Sequence, residues 1–386
     1  MAPGILHSTD LSSEIFLLGW APEHGKTSHR VTSGWPSSFH SKIAWDATTF
    51  SCREDYTLEL SAIEKSELNA ALAHFKGLGL DAQDINRETF PLPVLGAKLR
   101  AIALDIHDGK GFHNIHGLDP AGISPEDNIL LFLGISSYIA DKRGKQNDNG
   151  DVLTHIINAS NAIDSEIERP IRYSTLASTF HCDTFADILA MQVRACAAQG
   201  GKHIIASAAS IYNELADSEV ETLEVLAQPD WAFDSRSELL PTNTRPLLSY
   251  HDQRLILNFS REPLVGLKGV KRNPKLPVLN TKQKRALDLV ESIASRNKVV
   301  LDLIPGDVLF INNLGILHSR EAFENNRECT RYLVRMWLKN SELAWNLPSH
   351  LQTGNSRIYE ENEFEERWNP VPEPKLRYTV ADRCTS

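Results

Sequence analysis

Apolar side chains first recur at helical spacing after Ser61, where Ile63, Leu68, Leu72 and Phe75 share a face, Ser61 and Glu64 form a capping box, and Lys76-Gly77 signals a stop. This pattern predicts an amphipathic helix laid over a core. The runs Ala97–Leu104 and Gly111–His116, bounded by Gly, Asp and Pro, read as strands, and the nearly unbroken apolar stretch Asn128–Ile139 reads as a buried helix. Lys142–Asp151 contains no large apolar residue and several Gly and Asn breakers, so an exposed, mobile loop is expected there.

From Ser174 onward the pattern changes to short strands separated by turn residues. Ile188–Cys196 fits both alternation and helical spacing; the abrupt Gly200-Gly201 favours a strand. Val299–Ile304, a turn at Pro305-Gly306-Asp307, and Val308–Asn312 predict a tight β pair, and Cys329–Leu338 a further strand. Helices over Ile211–Leu226 and Thr281–Arg296 look inserted into this β framework. Residues 1–55, rich in Ser, Thr, Gly and Pro and carrying Trp20, Trp35 and Trp45, read as an irregular segment packed on the core. The charged, Pro-containing stretch after Asn346, with its acidic run from Glu360 to Trp368, reads as a solvated tail. The expected organisation is therefore 1–55, one domain over 56–345 with helical insertions over about 205–296, and a tail over 346–386.

Composition narrows the function classes. Over 386 residues, 50 Asp+Glu against 40 Lys+Arg give a net charge of −10, which disfavours a surface built to neutralise nucleic-acid phosphates. The five cysteines, Cys52, Cys182, Cys196, Cys329 and Cys384, are scattered and never form a C-x-x-C pair, so neither a disulfide framework nor a structural zinc site is expected. Apolar runs such as Ile129–Ile135 are too short to span a bilayer. The first residues show no basic-then-apolar leader, and the final Cys-Thr-Ser is neither a prenylation box nor a peroxisomal address. The expectation is a soluble cytoplasmic protein whose partner is a small molecule, with neither nucleic acid nor membrane; self-association into a homo-oligomer is left open.

The residues that carry chemistry are His181-Cys182-Asp183, His318, and the pair Arg331 and Arg335. If Thr179–Asp183 is extended, His181 and Asp183 project to one side while Cys182 faces away. A second imidazole from His318 would complete a two-His, one-carboxylate set that leaves three cis metal positions open. Iron(II) so held can accept a bidentate 2-oxo acid and then O2, whereas zinc on the same ligands would make a hydrolytic centre. In the strand after Thr330, Arg331 and Arg335 share a face with Leu333 and Trp337, while Tyr332, Val334, Met336 and Leu338 take the other. Two guanidinium groups in so apolar a strand need anionic partners, and a dicarboxylate such as 2-oxoglutarate suits them.

These motifs, together with GGKHIIASAASIYNEL, PGDVLFINNLGILHSREAF, RYLVRMWL, GFHNIHGL and YIADKRGKQNDNGDVLTHI, resemble the taurine dioxygenase (TauD/TfdA-like) family of iron(II)/2-oxoglutarate oxygenases, and in texture its fungal members, over residues 35–345. The resemblance implies a mostly β, α+β fold: a double-stranded β-helix (jelly-roll) core flanked by helices. It also implies Fe(II) on His181, Asp183 and His318, 2-oxoglutarate on Arg331, and an acidic group of the substrate on Arg335. His203 stands where family members usually carry a Thr or Ser hydroxyl that donates to the cosubstrate, and a histidine ring nitrogen can still donate. Leu343 and Trp345, close behind the arginine strand, are expected to roof the substrate pocket. The implied reaction oxidises an unactivated C–H bond of a small carboxylate-bearing substrate with O2, releasing succinate and CO2. The substrate could be an amino acid, and the outcome hydroxylation or ring closure, including aziridine formation on a branched-chain amino acid, in secondary metabolism. A zinc-dependent hydrolase on the same ligands and a catalytically silent metal-binding protein remain as alternatives at this point.

Overall fold

Period-two alternation along the strands decides the architecture, because each central strand carries two apolar faces and both must be covered. The computed structural model describes residues 34–147, 149–162, 169–234, 243–266, 272–360 and 365–373. The elements that build and position the site run, in chain order, β1 (Thr57–Glu59), α1 (Ala62–Leu78), α2 (Gly96–Asp108), β2 (Phe112–His116), α3 (Pro125–Ile139), β3 (Lys142–Gly144), β4 (Thr154–Ile157), β5 (Ser178–His181), β6 (Ile188–Ala195), β7 (His203–Ser207), α4 (Ala208–Ser218), α5 (Val220–Leu226), α6 (Thr281–Arg296), β8 (Val299–Leu301), β9 (Asp307–Asn312), β10 (Ile316–Arg320), β11 (Tyr332–Lys339) and α7 (Ser349–Tyr359). They form a major sheet of order β1-β2-β9-β6-β11-β3, with β4 also pairing β11, and a minor sheet of order β8-β7-β10-β5.

The two sheets face each other across a core in which Leu189, Met191 and Val193 of β6 meet Leu309, Ile311, Leu333 and Ile205. On its other face the major sheet presents Ala190, Phe310, Val334 and Met336 to α1, α2 and α3. The other face of the minor sheet, with Ile204, Ala206 and Leu317, is covered by α4, α5 and α6. This is the jelly-roll core with flanking helices that the strand pattern anticipates. The split of β11 into Leu333 and Trp337 inside and Val334, Met336 and Leu338 outside follows the expected alternation. Ile188–Ala195, ambiguous by spacing, is the central strand β6, between β9 and β11.

Several expectations are corrected. Ala97–Leu104 is not a strand but lies within helix α2, where Leu99, Ile102, Ala103 and Ile106 are buried at 3–4 spacing. The two runs around Pro305-Gly306-Asp307 are not a hairpin, since β8 pairs β7 in the minor sheet while β9 pairs β2 and β6 in the major sheet. The turn carries the chain from one sheet to the other. Helix α1 runs on through Gly77 and ends at Gly79, whose φ of 66° supplies the left-handed cap. Ile63 points outward at 70% exposure. The stretch 211–226 is two helices, broken at Glu219. Lys142–Asp151 is not a solvated loop in its described residues: β3 pairs β11, and Gln146 is buried. Within the first 55 residues, the described part holds to the core through Trp45, whose Nε1 donates to the Lys110 carbonyl at 2.8 Å. Trp20, Asp148, residues 361–364 and Cys384 lie outside the described residues. Among the described residues no helix is long and apolar enough to cross a membrane, and Cys52, Cys182, Cys196 and Cys329 are unpaired thiols.

The stretch after Asn346 is also not simply solvated. Helix α7 buries Leu351 beside Leu314 and Trp345. Its Asn355 donates from Nδ2 to Asp187 Oδ1 at 2.7 Å, and the Tyr359 hydroxyl donates to the Leu338 carbonyl at 3.0 Å. Asp187 lies in the connection between β5 and β6, and burial raises its carboxyl from 3.8 to about 7, with Lys339 only partly offsetting the effect. A carboxyl whose folded value is raised favours folding most below its unfolded value, and that contribution is lost as pH climbs through the folded value. Asp187→Asn removes this titration. Its stability relative to the parent protein should therefore rise between about pH 4 and about pH 7 and level off above, by a few kcal/mol on the scale of 1.4 kcal/mol per unit. Urea unfolding of both proteins across that range measures it, and a constant difference would refute it.

Candidate metal centre

Register places two imidazoles opposite one another. In the antiparallel pair of β5 and β10, His181 faces His318, and a register irregularity follows between His318 and Arg320. The ring centroids lie 4.2 Å apart. Past His181 the chain leaves the strand; the Cys182 side chain turns into the core beneath α4–α6, and Asp183 returns to the side of the two histidines. The turn is held by Asn313, in the β9–β10 connection. Its Oδ1 accepts from the Asp183 amide at 2.8 Å, and its Nδ2 donates to the Asp183 and Ala186 carbonyls at 2.6 and 2.7 Å. One connection thus positions both His318 and Asp183.

One ligand atom from each of His181, Asp183 and His318 lies within 4.8 Å of the other two, and all three residues are buried. The Nδ1 of His181 donates to the Thr179 carbonyl at 2.8 Å, which leaves the Nε2 lone pair for an ion. Nε2 of His318 stands 3.9 Å from Asp183 Oδ1, inside the roughly 4.2 Å that two ligands about 2.1 Å from a common ion can span. Burial lowers the pKa of both histidines, so each imidazole is neutral and able to ligate. The donor set fits iron(II) with three positions open.

Beside the two histidines lies an open-mouthed cavity, lined by His203, Arg331 and Arg335 as well as both histidines. Arg331 is pinned by Nε to the Gly201 carbonyl at 3.1 Å. Gly201 has φ +71°, and a Cβ there would meet the Arg331 side chain at 3.0 Å, so only glycine allows this approach. Burial pushes the Arg331 guanidinium down to about 9, and its Nη1 has no hydrogen-bond partner among the described residues. Arg335 donates from Nε to Gln146 Oε1 at 2.9 Å and pairs through Nη1 with Asp183 Oδ2 at 3.1 Å; its Nη2 has no hydrogen-bond partner among the described residues. Gln146 is itself saturated, accepting from Thr154 Oγ1 and donating to the Val152 and Arg335 carbonyls. His203 stacks on His318 with centroids 5.7 Å apart, its Nε2 lacks a partner among the described residues, and burial drives its pKa to about 3.

The structure does not bring Leu343 and Trp345 to this cavity. Leu343 packs against the core under α1–α3, and Trp345 is drawn elsewhere by the bond from its Nε1 to the His107 carbonyl at 2.9 Å and by its contacts with Leu314 and Leu351. Two further arginines, Arg172 and Arg320, do line it. Arg320 was legible, because it is two residues after His318 on the same strand. Nothing in the spacing marks Arg172 or Gln146.

A jelly roll that gathers two histidines and an aspartate around an open-sided metal position is the framework of non-haem iron oxygenases. The model of the taurine catabolism dioxygenase TauD, TfdA family matches residues 65–337, and the chain belongs to this family of iron(II)/2-oxoglutarate-dependent oxygenases. A taurine hydroxylase-like protein, SAT17, of Stachybotrys chartarum is 35% identical over 342 residues, 86% of this chain and 88% of the relative. FR-33289 synthase of Streptomyces rubellomurinus is 26% identical over 324 residues, 81% and 93% of the two chains. Among solved structures, asparagine oxygenase with Fe(II), hydroxyasparagine and succinate superposes with a TM-score of 0.55 at 13% identity, covering 73% of this chain and 93% of its own. The non-haem iron oxygenase OrfP with Fe and α-ketoglutaric acid gives 0.55 at 17% identity, covering 74% and 94%. The protein is thus an oxidoreductase that uses Fe(II), 2-oxoglutarate and O2, and the hydrolase and silent-protein alternatives fall away.

Asn313→Ala removes three buried hydrogen bonds and frees the Asp183 turn. It should cost about 2–4 kcal/mol of stability and weaken metal binding. Denaturant unfolding and a metal titration check both; an unchanged metal affinity would contradict the positioning described.

Proposed function

We propose that the enzyme oxidises an unactivated C–H bond of a small carboxylate-bearing substrate, an amino acid, with His181, Asp183 and His318 holding the iron, Arg331 binding the distal carboxylate of 2-oxoglutarate, and Arg335 binding the substrate's acid. One observation carries this reading. Arg331, just before β11, and Arg335, within it, each keep a buried guanidinium nitrogen without a hydrogen-bond partner among the described residues, and both line the cavity beside the metal trio. A buried cation with an unfilled donor is stabilised by an anionic ligand.

When bound, iron(II) with 2-oxoglutarate and O2 supplies an oxidant able to break an unactivated C–H bond, with succinate and CO2 as co-products. The chain's own contribution is placement and exclusion of water. His203, held neutral, offers a ring N–H toward the cosubstrate in place of a hydroxyl. Arg335, braced by Gln146, presents one remaining donor at a fixed place. The asparagine oxygenase structure holds a hydroxylated amino acid, and an OrfP structure holds L-homoarginine, which supports an amino-acid substrate for a similarly built cavity. Hydroxylation is the default outcome, and ring closure such as aziridine formation on a branched-chain amino acid is told apart by product mass, since the first adds an oxygen and the second removes two hydrogens.

Incubating the iron protein with 2-oxoglutarate and a panel of amino acids and other small carboxylates should reveal substrate-dependent succinate release. Stimulation only by molecules lacking an acid group would overturn the proposed substrate class. His181→Ala should abolish succinate formation. With the substrate so found, Arg335→Leu should raise its KM about ten-fold or more while leaving the KM for 2-oxoglutarate within about two-fold. Equal effects on both would refute the division of labour between the arginines.

A further inference from the structure

The carboxylate of Asp183 is fully buried, and its two oxygens have different surroundings. Oδ2 accepts from the indole Nε1–H of Trp337 at 2.5 Å and lies 3.1 Å from Arg335 Nη1. The hydrogen bond from Arg335 Nη1 goes to the other oxygen, Oδ1, so the indole is the one side-chain donor to Oδ2 among the described residues. Oδ1 accepts from Arg335 Nη1 at 3.3 Å and also looks toward His318 Nε2 at 3.9 Å. Trp337 reaches Asp183 because β11 alternates: Leu333 and Trp337 face the inner core and Arg335 between them lines the cavity, so the strand that carries Arg335 also delivers an indole to the carboxylate. The ring is 2% exposed and lies under the Arg335 guanidinium, 5.3 Å from its Cζ.

We propose that Trp337 is a positioning residue for the metal centre: its N–H holds Oδ2 of Asp183 away from the ion, so that the carboxylate ligates through Oδ1 alone. This rests on the metal trio named above. The consequence is one of coordination number. A carboxylate that closed on the ion with both oxygens would take one of the three positions that a bidentate 2-oxo acid and O2 require. Arg335 serves the other oxygen, whereas the Trp337 side chain is buried and makes no other hydrogen bond among the described residues, which leaves the carboxylate as its one polar partner there. Hydrogen-bond partners of metal ligands set ligand orientation, and losing one typically costs 10–100-fold in metal affinity.

Trp337→Phe keeps an aromatic ring in the core and deletes the donor. Leu333→Ala, on the same strand and face, disturbs packing without touching Asp183. Anaerobic titration with Fe(II), and with Co(II) as a stable stand-in, should give about 10–100-fold weaker binding for Trp337→Phe and binding within about two-fold of the parent for Leu333→Ala, although Leu333→Ala should unfold at the lower denaturant concentration. Equal metal affinity in Trp337→Phe and the parent overturns the proposal while leaving the metal trio standing, whereas a parent protein that binds neither ion overturns both. Should Trp337→Phe not fold, the parent protein decides: of its seven indoles, one N–H resonance, protected from solvent exchange, should move on adding Zn(II), because the charge on its acceptor is then shared with the ion. No such movement overturns the assignment.

Discussion

The pairing of β5 with β10, which sets His181 directly across from His318, is the constraint on which the rest of the centre depends. Neighbouring strands hold their opposed side chains a few ångströms apart, so two imidazoles placed at one register position are delivered to one ion without any loop having to find its place. A slip of one residue in either strand would turn its ring into the core under α4–α6, where Cys182 and Leu317 now sit. The apolar partition of the two faces therefore protects the metal site: every core contact on the minor sheet resists the slip that would dismantle it.

The third ligand does not come from the ladder, and it is secured by polar contacts instead. Asp183 sits just past the end of β5, where the chain has left the sheet, and Asn313 takes over both its amide and its carbonyl. Its side chain is then gripped from the opposite sheet by Trp337 and Arg335. The centre is thus built from both sheets of the jelly roll, histidines from the minor one and the carboxylate's partners from the major one. The core between the sheets sets the distance between them. This links the chemistry to packing: the side chains that fill the sandwich, such as Met191 and Ile205, keep the two sheets in contact.

Charge shapes the cavity in the same way. Four arginines line it, and burial weakens the cationic form of Arg320, Arg331 and Arg335. Arg320 donates from Nη2 to the carbonyls of Ile171, Ser174 and Leu176, fastening that segment over the site. Arg331 and Arg335 each keep a donor without a partner among the described residues, which the proposed dicarboxylate and acidic substrate would fill. Gln146 makes the second of these donors a fixed one, from a segment whose sequence reads as a polar loop. Its polarity serves the interior: Gln146 is buried and each end of its amide is bonded.

Short-range sequence determined much of this protein. The H-x-D spacing, the R-x-x-x-R strand and the alternation along β6 and β11 fix which side chains share a face, because a strand has a two-residue period whatever it pairs with. The capping boxes at Ser61 and Asn280 likewise fixed where α1 and α6 begin. Tertiary structure alone decided what depends on partners distant in the chain. The runs on either side of Gly306 enter different sheets because their mates are more than 90 residues upstream, at β7 and β2, which local turn chemistry cannot register. Trp345 went to the His107 carbonyl rather than the cavity, α7 formed where the composition reads as tail, and Gln146 and Trp337 became part of the centre. In each case the deciding term is the burial or hydrogen bonding of a group by residues far away in sequence, and that energy exists only once the two sheets have closed on each other.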